Sequence, residues 1–325
     1  MHLSDGILTP AACAVTYVAA AGAVGYSFKK LNQSLTDRTI PFTGMTAALV
    51  FAGQMVNFPL PGLRVSGHLL GGVLATALLG PWGGCIAMTL VLFVQAALFA
   101  DGGWMSLGAN VLNMGVVGAW GGYAVYSVVR RALGGGFRGS VVGAVLASWV
   151  SVLAAAALFC VEFRWGHPGP EFSRLCALMI SFHSLIGVGE ALITGLIIST
   201  VAAQRPELLE RATGASTVSV AGMGRLLTAG LVTALAVAAF LAPFASEHDD
   251  GLEAAIQQTG IEPPEGPEPV APLPDYRFPL PAGGWDQAAV SLAGIVGTVT
   301  VFVLALALGF VPAFGAKPAV RNPHA

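Results

Sequence analysis

Charged residues are scarce in this sequence. Asp, Glu, Lys and Arg make up 10% of the 325 residues, against about 25% in ordinary soluble domains. Hydrophobic residues make up 55%, and the mean hydropathy is +0.75. The shortage of charge excludes a soluble domain. The net charge of −2, with basic residues dispersed over loops, gives no reason to expect nucleic acid as a partner.

The sequence also lacks the signals of several kinds of site. Its four cysteines, Cys13, Cys85, Cys160 and Cys176, have no paired spacing, which argues against a thiolate metal site. No lysine lies in a Gly-Lys-Ser/Thr context, so there is no P-loop for ATP. The absence of a His-Glu-x-x-His helix argues against an intramembrane metalloprotease.

What the sequence does contain is long apolar runs. Runs of about 20 residues cross the hydrocarbon core as helices, and no alternating pattern suggests a barrel. We therefore predict an all-α polytopic membrane protein. Its nine predicted spans are 8–28, 41–58, 65–79, 84–100, 107–129, 140–160, 176–201, 225–244 and 288–310.

The basic residues predict the topology. With the amino terminus outside and the carboxy terminus in the cytoplasm, most of the 15 Lys and Arg residues lie inside, as the positive-inside rule requires. Composition then divides the chain into a seven-span module at 1–203, a polar cytoplasmic linker at 204–224 and a two-span hairpin at 225–325. The hairpin carries an external loop at 246–286, whose Pro, Gly and Glu content predicts an extended or disordered segment.

The first two residues, Met1 and His2, predict a metal site. A free α-amino group followed by histidine offers one ion three nitrogens in a plane: the amine, the His2 amide and the His2 imidazole. The amide must lose its proton, which Ni(II) or Cu(II), ions that favour tetragonal nitrogen geometry, can bring about. The alternative is that His2 lies at the chain start without a function. The first basic residue is Lys29, so no secretory signal is expected and Met1 should remain the amino terminus.

His68 is the candidate for a fourth nitrogen donor. It lies in Gly67-His68-Leu69-Leu70-Gly71-Gly72, at the outer start of the third predicted span. Its small neighbours leave the ring room beside an inserted amino terminus, which the topology places at the same membrane face. The alternative is a hydrogen bond from the ring to a carbonyl on a neighbouring helix.

The seventh predicted span contains His183 and Glu190, which lie two turns apart on one helical face. Ionisable groups within a span are usually paired or functional. His183 is a candidate for orienting a metal ligand or for relaying protons, and a structural hydrogen bond is the alternative.

Four side-chain amides lie near the predicted span ends, and they could hold an irregular amino-terminal segment by bonding its backbone. Helix capping and interhelical bonds are the alternative. These supporting candidates are Gln54, Asn57, Asn110 and Asn113.

Together these residues resemble the NikM/CbiM family, the substrate-binding components of energy-coupling-factor transporters for nickel and cobalt. Met1-His2-Leu3-Ser4-Asp5-Gly6-Ile7-Leu8 is similar to that family's amino-terminal signature, and 67–72 to its glycine-flanked histidine motif. Segments 51–59, 107–115 and 183–195 extend the similarity over most of the first module.

The resemblance implies a square-planar site formed by the Met1 amine, the His2 amide and imidazole, and a side-chain nitrogen of His68. It implies a seven-helix bundle with an inserted amino terminus. The implied partners are a transmembrane coupling subunit, a cytoplasmic ATPase subunit and membrane lipid. Nickel, or alternatively cobalt, would be the transported cargo, no cofactor is expected, and the protein would be a transporter subunit and not an enzyme.

The carboxy-terminal module resembles the small NikN-type component, fused in one chain. Asp249-Asp250-Gly251-Leu252-Glu253 is similar to the Pro-Asp-Gly-Leu-Glu element, with Asp249 where proline is usual. The similarity favours nickel, because the cobalt systems carry a different small component. It implies capture of Ni(II) at the outer face of the cell inner membrane for ATP-driven uptake.

Three other functions are compatible with the sequence. The first is a cobalt-selective component of the same architecture. The second is a metal-independent assembly or scaffold subunit whose histidines only pack helices. The third is a secondary metal carrier, against which the few intramembrane acids and the lack of a clear inverted repeat argue.

Overall fold

The computed structural model describes residues 1–33, 39–167, 169, 171–211, 220–261, 271–281 and 283–309. Helices make up most of this part of the chain, in agreement with the all-α prediction. The α-helices are α1 (Pro10–Asn32), α2 (Thr39–Gln54), α3 (Gly72–Val94), α4 (Leu107–Asn110), α5 (Gly122–Ala132), α6 (Gly136–Gly166), α7 (Glu171–Gln204), α8 (Pro206–Arg211), α9 (Val220–Ala236), α10 (Gly251–Thr259) and α11 (Asp286–Leu308). π-Helical stretches continue three of them, at Gln95–Phe99, Val111–Gly121 and Val237–Leu241, and 3₁₀ turns lie at Ala242–Phe244 and Pro274–Tyr276.

Six helical stretches are long and apolar enough to cross a membrane. They are Pro10–Asn32, Gly72–Phe99, Gly136–Gly166, Glu171–Gln204, Gly222–Phe244 and Asp286–Leu308. Helix α2 has only 16 residues, and the predicted span 107–129 is divided among α4, a π-helical stretch and α5. A helical multi-pass membrane protein is therefore confirmed, whereas the nine spans, the seven-helix count of the first module and the module boundaries stay predictions.

The stretch Gly72–Phe99 is broken at Gly80. This residue has φ 73° and ψ 173°, a conformation that favours glycine, and Pro81 follows it. A Cβ built on Gly84 would lie 2.9 Å from the backbone nitrogen of Thr76. In an unbroken helix eight residues span about 12 Å, so the chain folds back at Gly80. The segments on either side of Gly80 therefore pack closely against each other.

Helices α6 and α7 are the longest, with 31 and 34 residues, and they lie side by side. Small residues permit the close approach, since a Cβ built on Gly195 would lie 2.6 Å from the side chain of Val145. In the carboxy-terminal part, α9 and α11 both pack against α2. A Cβ on Gly44 of α2 would lie 3.1 Å from Ala305 of α11.

The prediction of an irregular external loop at 246–286 was wrong for its first part, because α10 is a regular helix with a buried face. The signals for it are local: Asp250 caps its first turn, Glu253 completes a capping box, and Gly260 ends it with φ 71°. The proline-rich run at 262–269, on which the prediction rested, lies outside the described residues.

Two short strands position the segment before His68. Phe58–Pro59 (β1) pairs antiparallel with Ser66–Gly67 (β2), and Ser66 also forms a parallel bridge with Asp250. The carboxy-terminal part therefore contacts the strand that leads directly to His68.

Candidate metal centre

The amino terminus is inserted into the protein. Met1, His2 and Leu3 are 3%, 9% and 0% exposed. Leu3 is held like a strand residue: its N–H donates to Asn110 Oδ1 (2.8 Å), and its carbonyl accepts from Asn110 Nδ2 (3.1 Å) and from the Gly103 amide (2.8 Å). Irregular backbone at this depth is tolerated only where protein groups satisfy it. Asn110 therefore makes the contact that the sequence analysis expected.

A second set of bonds holds the following residues before α1 begins. The carboxylate of Asp5 accepts from the Ser106 amide at 3.0 Å, and the Ser106 hydroxyl donates to the Ser4 carbonyl at 3.0 Å. Thr9 then caps α1 and Pro10 opens its first turn. The amino-terminal segment is thus fixed at both ends.

Met1 and His68 come together although they lie 67 positions apart in the chain. The amino nitrogen of Met1 is 2.8 Å from His68 Nε2. His68 Nδ1 donates to the Leu69 carbonyl at 2.9 Å, which leaves the lone pair of Nε2 directed at the amino group. Each partner is nearly inaccessible to solvent, with 3% of Met1 and 8% of His68 exposed.

The His2 ring stacks on the His68 ring, with centroids 5.0 Å apart and planes 16° from parallel. Its Nδ1 lies 3.1 Å from Asp101 Oδ1, and its Nε2 lies 3.1 Å from Gln95 Oε1. Gln95 donates to Gln54 Oε1 at 2.9 Å, and Gln54 donates to the Leu70 carbonyl at 2.7 Å. This chain of amides connects the His2 ring to the segment after His68.

Both histidines are neutral at neutral pH. Burial lowers the pKa of His2 and of His68 from 6.5 to about 3, and the positive charge of the amino terminus contributes to both shifts. Asp250 forms an ion pair with the Met1 amino group. Burial raises the pKa of Asp250, but the charge of the amino group, the hydrogen bond from that group and the hydrogen bond from the Glu253 amide together outweigh burial and leave the pKa below its usual range. The centre thus presents lone pairs on nitrogen beside a carboxylate anion.

The structure places the other predicted residues in different roles. His183 donates from Nδ1 to the Met179 carbonyl of its own helix (2.8 Å), which is the structural bond given as the alternative. Asn113 does not support the amino terminus: its amide donates to Glu162 Oε2 at 2.8 Å. The main-chain carbonyl of Asn57 accepts from the Ser246 amide at 2.8 Å. The expectation that these side-chain amides bond the backbone of the amino-terminal segment is wrong for Asn113 and for Gln54, which bonds the Leu70 carbonyl and Gln95. For the side chain of Asn57 it stays a prediction.

Several residues that surround the two histidines were not predicted from the sequence. Gln95 is a single amide within an apolar run, a pattern that could have revealed it. Asp101 and Tyr276 are joined by a hydrogen bond of 2.5 Å, and the Tyr276 ring stacks on Phe99 at 4.5 Å. Asp250 was recognised only as part of a motif. Asp250 and Tyr276 both come from the carboxy-terminal part, and no local pattern says that they meet His2 and His68.

A cavity of about 340 Å³ adjoins the two rings, and the two parts of the chain form it jointly. Among its lining residues are His2, His68, Gln54 and Asp101 from the first part, and Asp250 and Tyr276 from the second. Across the described residues, no group of three or more His, Cys, Asp and Glu side chains is placed to hold a metal ion.

Comparison with protein families identifies both parts of the chain. Residues 2–208 match the model described as "Cobalt uptake substrate-specific transmembrane region", named CbiM, and residues 224–313 match the PDGLE domain. A protein of Archaeoglobus fulgidus named "Putative fused nickel transport protein NikMN" is 37% identical over 95% of this chain and 98% of its own. The chain belongs to the CbiM family, in its fused NikMN form.

Other relatives match about two thirds of the chain. The "Fused nickel transport protein NikMN" of Rhodobacter capsulatus is 35% identical over 64% of each chain. The "Cobalt transport protein CbiM" of Geobacter sulfurreducens is 30% identical over 65% of this chain and 62% of its own. A crystal structure titled as a truncated transition metal transporter has a TM-score of 0.54 and 30% identity, covering 62% of this chain and 98% of the other. Names within the family thus include both nickel and cobalt.

Proposed function

We propose that this CbiM-family protein binds one Ni(II) ion at the outer face of the membrane and delivers it inward. The ligands are the Met1 amine, the His2 amide and imidazole, and His68 Nε2. The observation that carries the proposal is the buried amino group of Met1, 2.8 Å from His68 Nε2. A chain start rarely lies so deep, and here it meets an imidazole whose lone pair is directed at it.

The spacing of these nitrogens suits a metal ion. Nitrogen ligands lie about 2.0–2.1 Å from a divalent first-row metal, so adjacent corners of a square plane are about 2.8–3.0 Å apart. The Met1 amine and His68 Nε2, at 2.8 Å, have the spacing of adjacent ligands. To chelate the same ion together with its amide, His2 must turn Nδ1 from Asp101 toward the ion. The two imidazole rings already lie side by side, with their centroids 5.0 Å apart.

Nickel suits the proposed set of ligands. Amide nitrogen binds only after losing its proton, and Ni(II) favours the tetragonal nitrogen geometry in which this occurs. The fused NikMN names of the relatives support nickel as well. Cobalt is the alternative cargo, supported by the CbiM relatives. Competition between the two ions for one site shows which ion is preferred. The spectrum of the bound metal then identifies it, because square-planar Ni(II) is diamagnetic.

In this proposal other subunits supply the energy for uptake, because the sequence itself has no P-loop for ATP. A cytoplasmic ATPase subunit hydrolyses ATP, and a transmembrane coupling subunit transmits the resulting conformational change to this protein. The excess of Lys and Arg in the predicted inner loops supports an amino terminus, and with it a metal site, at the outer face of the cell inner membrane.

Equilibrium dialysis of the purified full-length protein with Ni(II), followed by metal analysis, tests the site. His2→Ala and His68→Ala should each weaken binding by more than about tenfold, because each removes one nitrogen of four. His167→Ala is the control, since that ring stacks on Phe163 at 4.2 Å and is not among the ligands. Unchanged nickel affinity in His68→Ala would overturn the proposed function.

A further inference from the structure

The two oxygens of the Asp250 carboxylate have different partners. Oδ1 accepts from the amides of Leu252 (2.8 Å) and Glu253 (2.9 Å), which caps α10. Oδ2 forms the ion pair with the Met1 amino group and lies 3.9 Å from His68 Nε2. Only 14% of the Asp250 side chain is exposed. The helix cap and the amino terminus of the chain therefore share one carboxylate.

Backbone contacts fix the position of this carboxylate. The Ser66 amide donates to the Asp249 carbonyl at 2.8 Å, and the Ser66 hydroxyl donates to the His248 carbonyl at 2.7 Å. On the other side, a Cβ built on Gly251 would lie 3.0 Å from His183 Cε1, so the backbone of α10 lies directly against α7. The start of α10 is thus fastened between the strand before His68 and α7, with Asp250 directed at the amino group.

Charge gives this carboxylate a role once metal is bound. A divalent ion bound by one deprotonated amide keeps one positive charge, and a buried charge is costly unless an opposite charge lies near it. Asp250 supplies one negative charge at the amine. An amine that has lost one proton to bind metal still has two N–H groups, so its hydrogen bond to Oδ2 can persist.

We propose that the carboxy-terminal domain completes the metal site through Asp250, which positions the Met1 amine against His68 and neutralises the charge of the bound ion. The inference rests on the proposed function and adds a residue from the PDGLE domain to it. Asp250 is a positioning residue, because it acts through the amine and not as a ligand.

The substitution Asp250→Asn separates the two contacts. Asparagine caps helices about as well as aspartate, so its one oxygen can keep the α10 cap while the NH₂ group faces the amine and the negative charge is lost. Asp249→Asn is the matched control, because it makes the same charge change at a residue whose carbonyl, and not its carboxylate, contacts Ser66. Asp250→Ala removes both the cap and the charge.

Two measurements on the purified full-length protein test the inference. In Ni(II) binding, Asp250→Asn should raise the dissociation constant at least about tenfold relative to Asp249→Asn. Asp250→Ala, which removes the helix cap as well as the charge, should lower the melting temperature further than Asp250→Asn does. If Asp250 served only as a cap, Asp250→Asn would bind nickel like the control, and that result would overturn the inference.

The second measurement needs no metal. An amine-reactive acylating reagent should modify Met1 several-fold faster in Asp250→Asn than in Asp249→Asn, with the exposed Lys29 as the internal reference, followed by mass spectrometry. Equal Met1 rates would contradict the pairing.

His68→Ala separates the two proposals: if it binds nickel normally, the proposed ligand set fails and the acylation rates alone decide the role of Asp250. If it loses nickel while Asp250→Asn keeps it, only the role of Asp250 fails.

Discussion

Glu190 binds the main-chain amide of Gly71 at 3.0 Å, and its second oxygen accepts from the amide of Leu70. Glu190 is fully buried in α7, and the two amides belong to the second and third residues after His68. Gly71 has φ 81° at this point, so the chain turns sharply and exposes both N–H groups on one side. A carboxylate, which has two acceptor oxygens, matches the pair.

Glu190→Gln should lower the free energy of unfolding by about 1–3 kcal/mol, because glutamine offers one acceptor oxygen and leaves one buried N–H without a partner. Nickel affinity should fall as well, since the bonds fix the segment that orients His68. Thermal unfolding and dialysis check the two effects. Glu171→Gln at the exposed start of α7 is the control and should change neither. Equal behaviour of the two variants would contradict a positioning role for Glu190.

Asn110 and Asn113 lie three positions apart and provide a matched comparison. Asn110→Ala removes both side-chain bonds to Leu3, which should weaken nickel binding about tenfold, equivalent to about 1.4 kcal/mol. Asn113→Ala removes the bond to Glu162 and should lower the melting temperature with little change in nickel affinity. If Asn113→Ala bound nickel more weakly than Asn110→Ala, the bonds from Asn110 to Leu3 would not be what positions the amino terminus.

These two asparagines also show how far the sequence could predict the site. The motif residues Met1, His2 and His68 could be identified as nitrogen donors from their chemistry, and the structure brings them together. The two asparagines have the same side chain, similar burial and nearby positions. Which of them faces Leu3 depends on how α4 and α6 lie around the amino terminus, and no local pattern records that arrangement.

The carboxy-terminal part shows a different kind of failure. The sequence Asp250-Gly251-Leu252-Glu253 contains a capping box, a local signal for a helix start. The prediction of an irregular loop rested on the composition of the whole segment 246–286, in which the proline-rich run at 262–269 outweighed the capping box. The contact of Asp250 with Met1 was beyond prediction, because it joins positions 249 residues apart.

An added residue before Met1 should abolish nickel binding. The amino nitrogen is buried between His68 and Asp250, and an extension converts the amine into an amide while forcing extra backbone into a space occupied by protein. A Gly-Ser extension is the simplest version, measured by dialysis. An equal extension after Ala325 is the control and should leave binding unchanged. Binding that survived the amino-terminal extension would favour a site made from histidine side chains alone.

The proposed ligands determine how many protons metal binding releases. The Met1 ammonium and the His2 amide each lose one proton on binding, whereas His2 and His68 lose none near pH 7, because burial has lowered the pKa of each imidazole to about 3. We therefore expect release of about two protons per Ni(II). Calorimetric titrations in buffers of different ionisation enthalpy measure this number directly.

The same count fixes the pH dependence of binding. The logarithm of the binding constant should rise by about two for each pH unit, since two protons leave. Histidines with an ordinary pKa near 6.5 would steepen this slope below pH 6.5, because each would first have to lose its own proton. With the pKa of both rings lowered to about 3, the slope should stay near two from pH 7 down to about pH 5. A slope that approached four below pH 6.5 would show that the two rings are solvated, and that the amino terminus is not inserted beside His68 before the metal arrives.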